Sequence, residues 1–219
     1  MKQILHYALV LFIIASVAGM GLYGVNSATL KKIKESERKT LAEGQKFAFP
    51  EGVSFSKPKV FKVEGKDEIY YEVFDENKKV IGYEVLYSVQ GYQSLIKVLT
   101  GITPKGNIRA IRVLSQAETP GLGAEVDAIP SSETLWQVIG SWFGMKKPDI
   151  KPQLVPAFQA QFENKTIADL KVVKVKTDKN IEAISGSTIT SAAVTKCVRV
   201  PAEAFVESVI GKSPPLKGD

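Results

Sequence analysis

The sequence predicts an α+β domain carried behind an N-terminal membrane-spanning helix. Three observations predict this class: an uncharged apolar run at the start, a middle region of β-branched segments separated by turn residues, and blocks of helical spacing that follow the strands. Strands that succeed one another through short turns form an antiparallel meander, and the helices then pack on it.

The apolar run comes first. "ILHYALVLFIIASVAGMGLYGV", residues 4–25, contains no Asp, Glu, Lys or Arg. As a helix it covers about 33 Å, enough for a bilayer core of about 30 Å. A cleavable signal peptide has a shorter apolar core, about 7 to 15 residues, and a small-residue cleavage site that "GVNSAT" does not supply, so an uncleaved anchor is expected. Gly19, Gly21 and Gly24 would let another membrane helix approach or be tolerated in a lone span. The predicted organisation is a span at 1–28, a charged stalk helix at 29–50, one compact domain at 51–211 and a flexible tail, "KSPPLKGD", at 212–219. Lys31, Lys32, Lys34, Arg38 and Lys39 follow the span while only Lys2 precedes it, so the positive-inside rule puts the domain in the cytoplasm. That rule weakens when the translocated domain is long.

Strand signals then run from Lys59 onward. "KVFKV", "EIYYEVFD" and "KVIGYEVLYSV" are rich in β-branched and aromatic residues, and "DENKK" is a hairpin turn between the last two. "GYQSLIKVLTGITPKGNIRAIRVLSQ" repeats the pattern around a "PKGN" turn. "SSETLWQVIGSWFG" reads as a helix, with Leu135, Ile139, Trp142 and Phe143 at helical spacing. "LKVVKVKT" is a further strand, and a last helix follows with Ser187 to Ser191 as its first turn, a helix that Pro201 is expected to kink or break.

Composition narrows the chemistry. A net charge of +6 is spread among nearly as many acids as bases, without aromatics interleaved in a basic run, so nucleic acid is not an expected partner. Cys197 is the sole cysteine and His6 the sole histidine, which excludes an internal disulfide and the usual ligand sets of zinc and iron–sulfur sites. No metal site is expected, and a redox role requires an organic cofactor. Cys197 lies in the apolar run "AAVTKCV" and reads as a buried small hydrophobe.

Two glycine-containing loops remain. In "ETPGLG", Glu118 to Gly123, Pro120 and Gly121 suit the two central positions of a type II turn, and the same loop offers a backbone edge and Leu122 to a flat ligand. In "EAISGSTITSAA", residues 182–193, nine of the twelve residues are Gly, Ala, Ser or Thr. A helix starting there would turn free amides and the positive end of its dipole toward an anion such as a phosphate. Ser and Thr are also ordinary helix caps, and hydrogen-bond chemistry alone accounts for the stretch without a ligand.

The two loops together carry a resemblance. "EAISGSTITSAAV" resembles the flavin-attachment motif, roughly Asp-Ala-x-Ser-Gly-Ala-Thr-x-Thr-Ser, of the FMN-binding domain found in the G subunit of the Rnf electron transport complex (RnfG) and the C subunit of the sodium-translocating NADH:quinone reductase. "GYQSLIKVLTGITPKGNIRAIRVLSQAETPGLG" is similar to the same domain, and the length and layout are closer to the Rnf protein. The resemblance implies that Thr188 carries FMN through a phosphoester to the ribityl phosphate, attached by a separate flavin transferase, and that Thr188 itself catalyses nothing. It implies flavin contacts from Ser185, Gly186 and Ser187 in the motif and from Glu118, Thr119, Leu122 and Gly123 in the other loop. Glu182 and Ser187 depart from the family's usual Asp and Ala, which bears on how well a transferase reads the motif.

The expected function is therefore an electron relay within an ion-translocating ferredoxin:NAD oxidoreductase complex. Such a chain would have other membrane subunits and the lipid bilayer as partners, and no turnover of its own. The resemblance places the domain on the outer face of the cytoplasmic membrane, against the positive-inside count. The alternatives are the corresponding flavoprotein of the quinone reductase, a free-standing anchored flavoprotein, and a membrane-tethered binding or assembly module without flavin.

Overall fold

The computed structural model describes residues 2–128, 155–175 and 178–211. The predicted tryptophan helix at 131–144 and the predicted tail at 212–219 lie outside the described residues. The chain divides into two compact units, Met1–Glu43 and Gly44–Asp219.

Helix α1, Lys2–Ala48, makes up the first unit and contributes its last turn to the second. It is one continuous helix of 47 residues, about 70 Å long, through both the predicted span and the predicted stalk. Its apolar window has a mean hydropathy of 2.2 and none of it is buried within the chain, so it is long and apolar enough to cross a membrane. Open space surrounds Gly19, Gly21 and Gly24.

The second unit is built on a six-stranded antiparallel sheet: β1 (Ser54–Phe55), β2 (Lys59–Val63), β3 (Lys66–Phe74), β4 (Val80–Gln90), β5 (Leu95–Ile102) and β6 (Ile108–Ser115). The order is β1-β3-β4-β5-β6, with β2 also paired to β3. Both predicted turns close as their residues require. Asp75 Oδ1 accepts from the amides of Asn77 and Lys79 at 2.8 Å each, and Gly106, at φ +87°, lets the amide of Thr103 reach Asn107 O at 2.9 Å. A short helix α2 (Ala157–Ala160) and a two-stranded parallel pair, β7 (Val172–Val173) with β8 (Ile181–Glu182), follow. Of the strand predicted over "LKVVKVKT", the described residues 170–175 keep only Val172–Val173 as strand. β8 offers it only a two-residue partner, and Val175 beyond that pairing is exposed.

Helix α3, Thr188–Phe205, lies on β2, β4 and β5. Its face of Val194, Cys197, Val198, Ala202 and Phe205 is buried on Val85, Ile96, Val98, Ile102, Ile111 and Val113. Phe205 stands among Phe61, Tyr70 and Tyr83, with ring centroids 5.0–5.3 Å away. Of the two expected effects of Pro201, a kink or a break, the break does not occur: α3 continues four residues past it and then widens into a π turn at Val206–Ile210. Pro201 is itself buried, and the packing of Ala202 and Phe205 holds the chain helical beyond the missing amide. Cys197 is fully buried, as its apolar run predicts, and burial pushes its thiol up to about 12.

The other face of the sheet is covered by Gln45, Ala48 and Phe49 at the end of α1. Phe49 occupies a slot floored by Gly82 and Gly101; a Cβ on Gly82 would stand 2.2 Å from the Phe49 ring.

Candidate functional site

Three short segments meet at the N-terminus of α3: 91–94 between β4 and β5, 118–123 after β6, and 184–190. They enclose a cavity of about 380 Å³ lined by Tyr92, Glu118, Thr119, Leu122, Gly123, Gly186, Ser187, Thr188, Ile189 and Thr190. The predicted residues Glu118, Thr119, Leu122, Gly123, Gly186, Ser187 and Thr188 are thereby brought to one place from two distant parts of the chain. Ser185 is exposed in the adjoining turn and is not among the lining residues. Tyr92, Ile189 and Thr190 complete the lining and were not singled out by the sequence. "GYQS" and "TIT" already lie within the quoted motifs, but nothing in their spacing says which side chains turn inward.

Both glycine turns form as their residues demand. Gly121 has φ +74°, and the amide of Leu122 donates to Thr119 O at 3.2 Å, as in a type II turn. Gly186 has φ +75°, and the amide of Ser187 donates to Ile184 O at 2.9 Å. Leu122 rests against Gly186: a Cβ there would lie 3.0 Å from Leu122 Cδ2.

The start of α3 departs from a simple cap. Ser187 occupies the capping position but makes no side-chain capping bond, and its Oγ is buried without a hydrogen-bond partner among the described residues. The staple is one turn later. Ser191 Oγ donates to Ser187 O at 2.9 Å and accepts from the Ile184 amide at 3.0 Å. Hydroxyl capping therefore leaves unexplained why Ser187 and Thr188 carry hydroxyls. Thr188 is exposed at the first helical position, and the first turn has no acidic residue to neutralise the open amides of an 18-residue helix.

Glu118 is 5% exposed and its carboxylate accepts five hydrogen bonds. Oε1 accepts from the amides of Gln93 (3.0 Å) and Ser94 (2.8 Å) and from Ser94 Oγ (3.0 Å). Oε2 accepts from the Tyr92 amide (3.2 Å) and from Thr190 Oγ1 (2.8 Å). Burial alone would raise its pKa; the donors from Ser94, Thr190 and Gln93 outweigh it and hold the carboxyl below its ordinary value.

These residues fit a flavin mononucleotide. Cavities of this volume accept flat cofactors, Tyr92, Leu122 and Ile189 supply exposed apolar surface, and a helix N-terminus bearing a spare buried hydroxyl suits a phosphate.

The family model described as FMN-binding domain matches residues 91–200. Among characterised proteins, the G subunit of the Na(+)-translocating ferredoxin:NAD(+) oxidoreductase complex of Acetobacterium woodii is 30% identical over 219 residues, covering 93% of this chain and 92% of that one. The G subunit of the proton-translocating ferredoxin:NAD(+) oxidoreductase complex of Clostridium ljungdahlii is 33% identical over 152 residues, covering 69% of this chain and 66% of that protein. Among solved structures, Shewanella oneidensis NqrC is 19% identical, the match covering 75% of this chain and 72% of that one, with a TM-score of 0.45.

Proposed function

Since the chain belongs to the FMN-binding domain family and, within it, to the G subunits of ion-translocating oxidoreductase complexes, we propose that it is a membrane-anchored flavoprotein that relays electrons in such a complex. FMN is joined to Thr188 by a phosphoester made by a separate flavin transferase. The observation that carries this reading is Thr188 itself: an exposed hydroxyl at the positive end of α3, opening on a cavity with apolar walls.

Within the chain the roles divide by position. The open amides of the α3 N-terminus receive the phosphate, Gly186 keeps that turn free of a side chain, and Tyr92, Leu122 and Ile189 screen a ring from water on its apolar sides. Bound FMN would supply the redox chemistry. Helix α1 is the anchor, and other membrane subunits donate and accept the electrons. The relatives differ in the ion their names carry, Na(+) in one and proton in the other, so both ions belong to the proposal's scope.

Co-expression with a flavin transferase, followed by intact mass measurement, tests the attachment. The parent chain is expected to gain FMN less one water, and a Thr188→Val variant to gain nothing; an unmodified parent beside a working control substrate refutes the reading. We further propose that the domain faces the outer side of the membrane. Protease added to spheroplasts should then digest the domain, and protection until lysis reverses that orientation.

A further inference from the structure

Glu118 lines the cavity, but both its oxygens are already engaged by five donors from the protein, which leaves the carboxylate little capacity for a ligand. Its partners lie on two separate segments. Three successive amides, Tyr92 to Ser94, hold it from one side, and Thr190 in the first turn of α3 holds it from the other. Two glycines make the enclosure possible. A Cβ on Gly91 would come within 2.6 Å of Glu118 Oε1, and one on Gly123 within 2.8 Å of both Glu118 Oε2 and Thr190 Oγ1. Ser94 Oγ also accepts from the Ala117 amide at 2.9 Å, so the loop and the segment carrying Glu118 are tied twice. The single side-chain link from this assembly to the helix is the one to Thr190, two residues after Thr188, as far as the described hydrogen bonds show.

We propose that Glu118 is a positioning residue for flavin attachment, clamping Thr190 so that the first turn of α3 presents the Thr188 hydroxyl in one orientation. The inference rests on Thr188 being the acceptor. In the attachment, a bond forms from Thr188 Oγ1 to the phosphorus of an activated flavin nucleotide. The bond from that phosphorus to its leaving group breaks, the leaving group departs with the bonding pair, and the hydroxyl proton goes to water. Misplacing an attacking atom by about 1 Å can slow such a step by about 100-fold, so even a small rotation of the first turn is kinetically visible.

The test measures transfer of flavin onto the full-length chain by a flavin transferase, with the chain varied as substrate so that kcat and KM separate. Thr190→Val keeps the branched shape and removes only the hydroxyl bonded to Glu118; kcat is expected to fall about 10-fold with KM little changed. Thr190→Ser keeps the hydroxyl and restores the rate. Glu118→Gln replaces one acceptor oxygen by an NH2 group that cannot accept from the loop amides, which weakens the clamp as a whole; kcat falls at least as far as in Thr190→Val, and the double variant is no slower than Glu118→Gln alone. Phe61→Leu loosens the aromatic cluster at the far end of α3 and loads at the parent kcat. Parent-like loading of Thr190→Val overturns the proposal. So does equal slowing by Phe61→Leu, which would make the effect general loosening. A Glu118→Gln protein that loads normally but shows a shifted flavin absorption spectrum overturns it in favour of a direct ring contact. If the parent takes up no flavin, the acceptor assignment fails and this inference with it.

Discussion

Glu118, beside the Thr188 cavity, is 5% exposed and accepts five hydrogen bonds, whereas Glu84, on the sheet face covered by the end of α1, is 0% exposed and accepts none among the described residues. Burial disfavours the charged form of both. At Glu118 the converging amides and hydroxyls outweigh that penalty, and the group stays a carboxylate. Around Glu84 lie Gln45, whose side-chain amide is near enough to offset burial in part but not placed to make a regular hydrogen bond, and Tyr71, directly opposite on the neighbouring strand; burial prevails and the pKa of Glu84 rises to about 7. Donor supply, more than depth, thus decides the charge of a buried carboxyl. The site region has its donors because a loop of three consecutive amides wraps Glu118. The face near Glu84 has regular strands, whose amides are committed to neighbouring strands.

Removing the better-connected group should do the most damage. Glu118→Ala strands five donors, two of them in the cavity wall, and is expected to lower stability by about 4 kcal/mol at neutral pH, read as a fall in the denaturant midpoint. The parent's dependence on this group follows its lowered pKa: the stabilisation is present above the ordinary glutamate value and is lost as pH falls through the folded one.

Glu84→Gln should act in the opposite sense and somewhat less. A folded pKa raised from 4.5 to about 7 means that the neutral form stabilises fully below about 4.5 and that this is lost as pH rises through about 7. The amide variant escapes that loss, so it should be more stable than the parent by on the order of 2–3 kcal/mol at pH 8 and indistinguishable from it near pH 4. Equal stability of the two at pH 8 would show that Glu84 is satisfied in solution and would dissolve the contrast with Glu118.

Much of this arrangement was legible in the residues, for local reasons. "KVFKV" is a strand over the same five residues, and "DENKK" and "PKGN" turn where Asp75 and Gly106 allow. The positive φ at Gly121 and Gly186 follows from turn chemistry confined to four residues. "LKVVKVKT" misled because strand propensity is realised only against a partner, and β8 offers two residues. The break allowed for at Pro201 does not occur for the converse reason: tertiary packing around Phe205 keeps a helix that local chemistry alone could end.

By itself the sequence determined the apolar helix, the antiparallel strands between 59 and 115, the two glycine turns and the small hydroxyl residues at the head of the last helix. All of these depend on periodicity or on contacts a few residues apart. Only the tertiary structure decided that residues 91–94, 118–123 and 184–190 share one cavity, that Ser191 rather than Ser187 staples the helix start, and that Glu118 faces inward to Thr190. Those relations join residues as distant in sequence as Tyr92 and Thr190, and no local pattern records which face of a loop meets which turn of a helix once the sheet has brought them together.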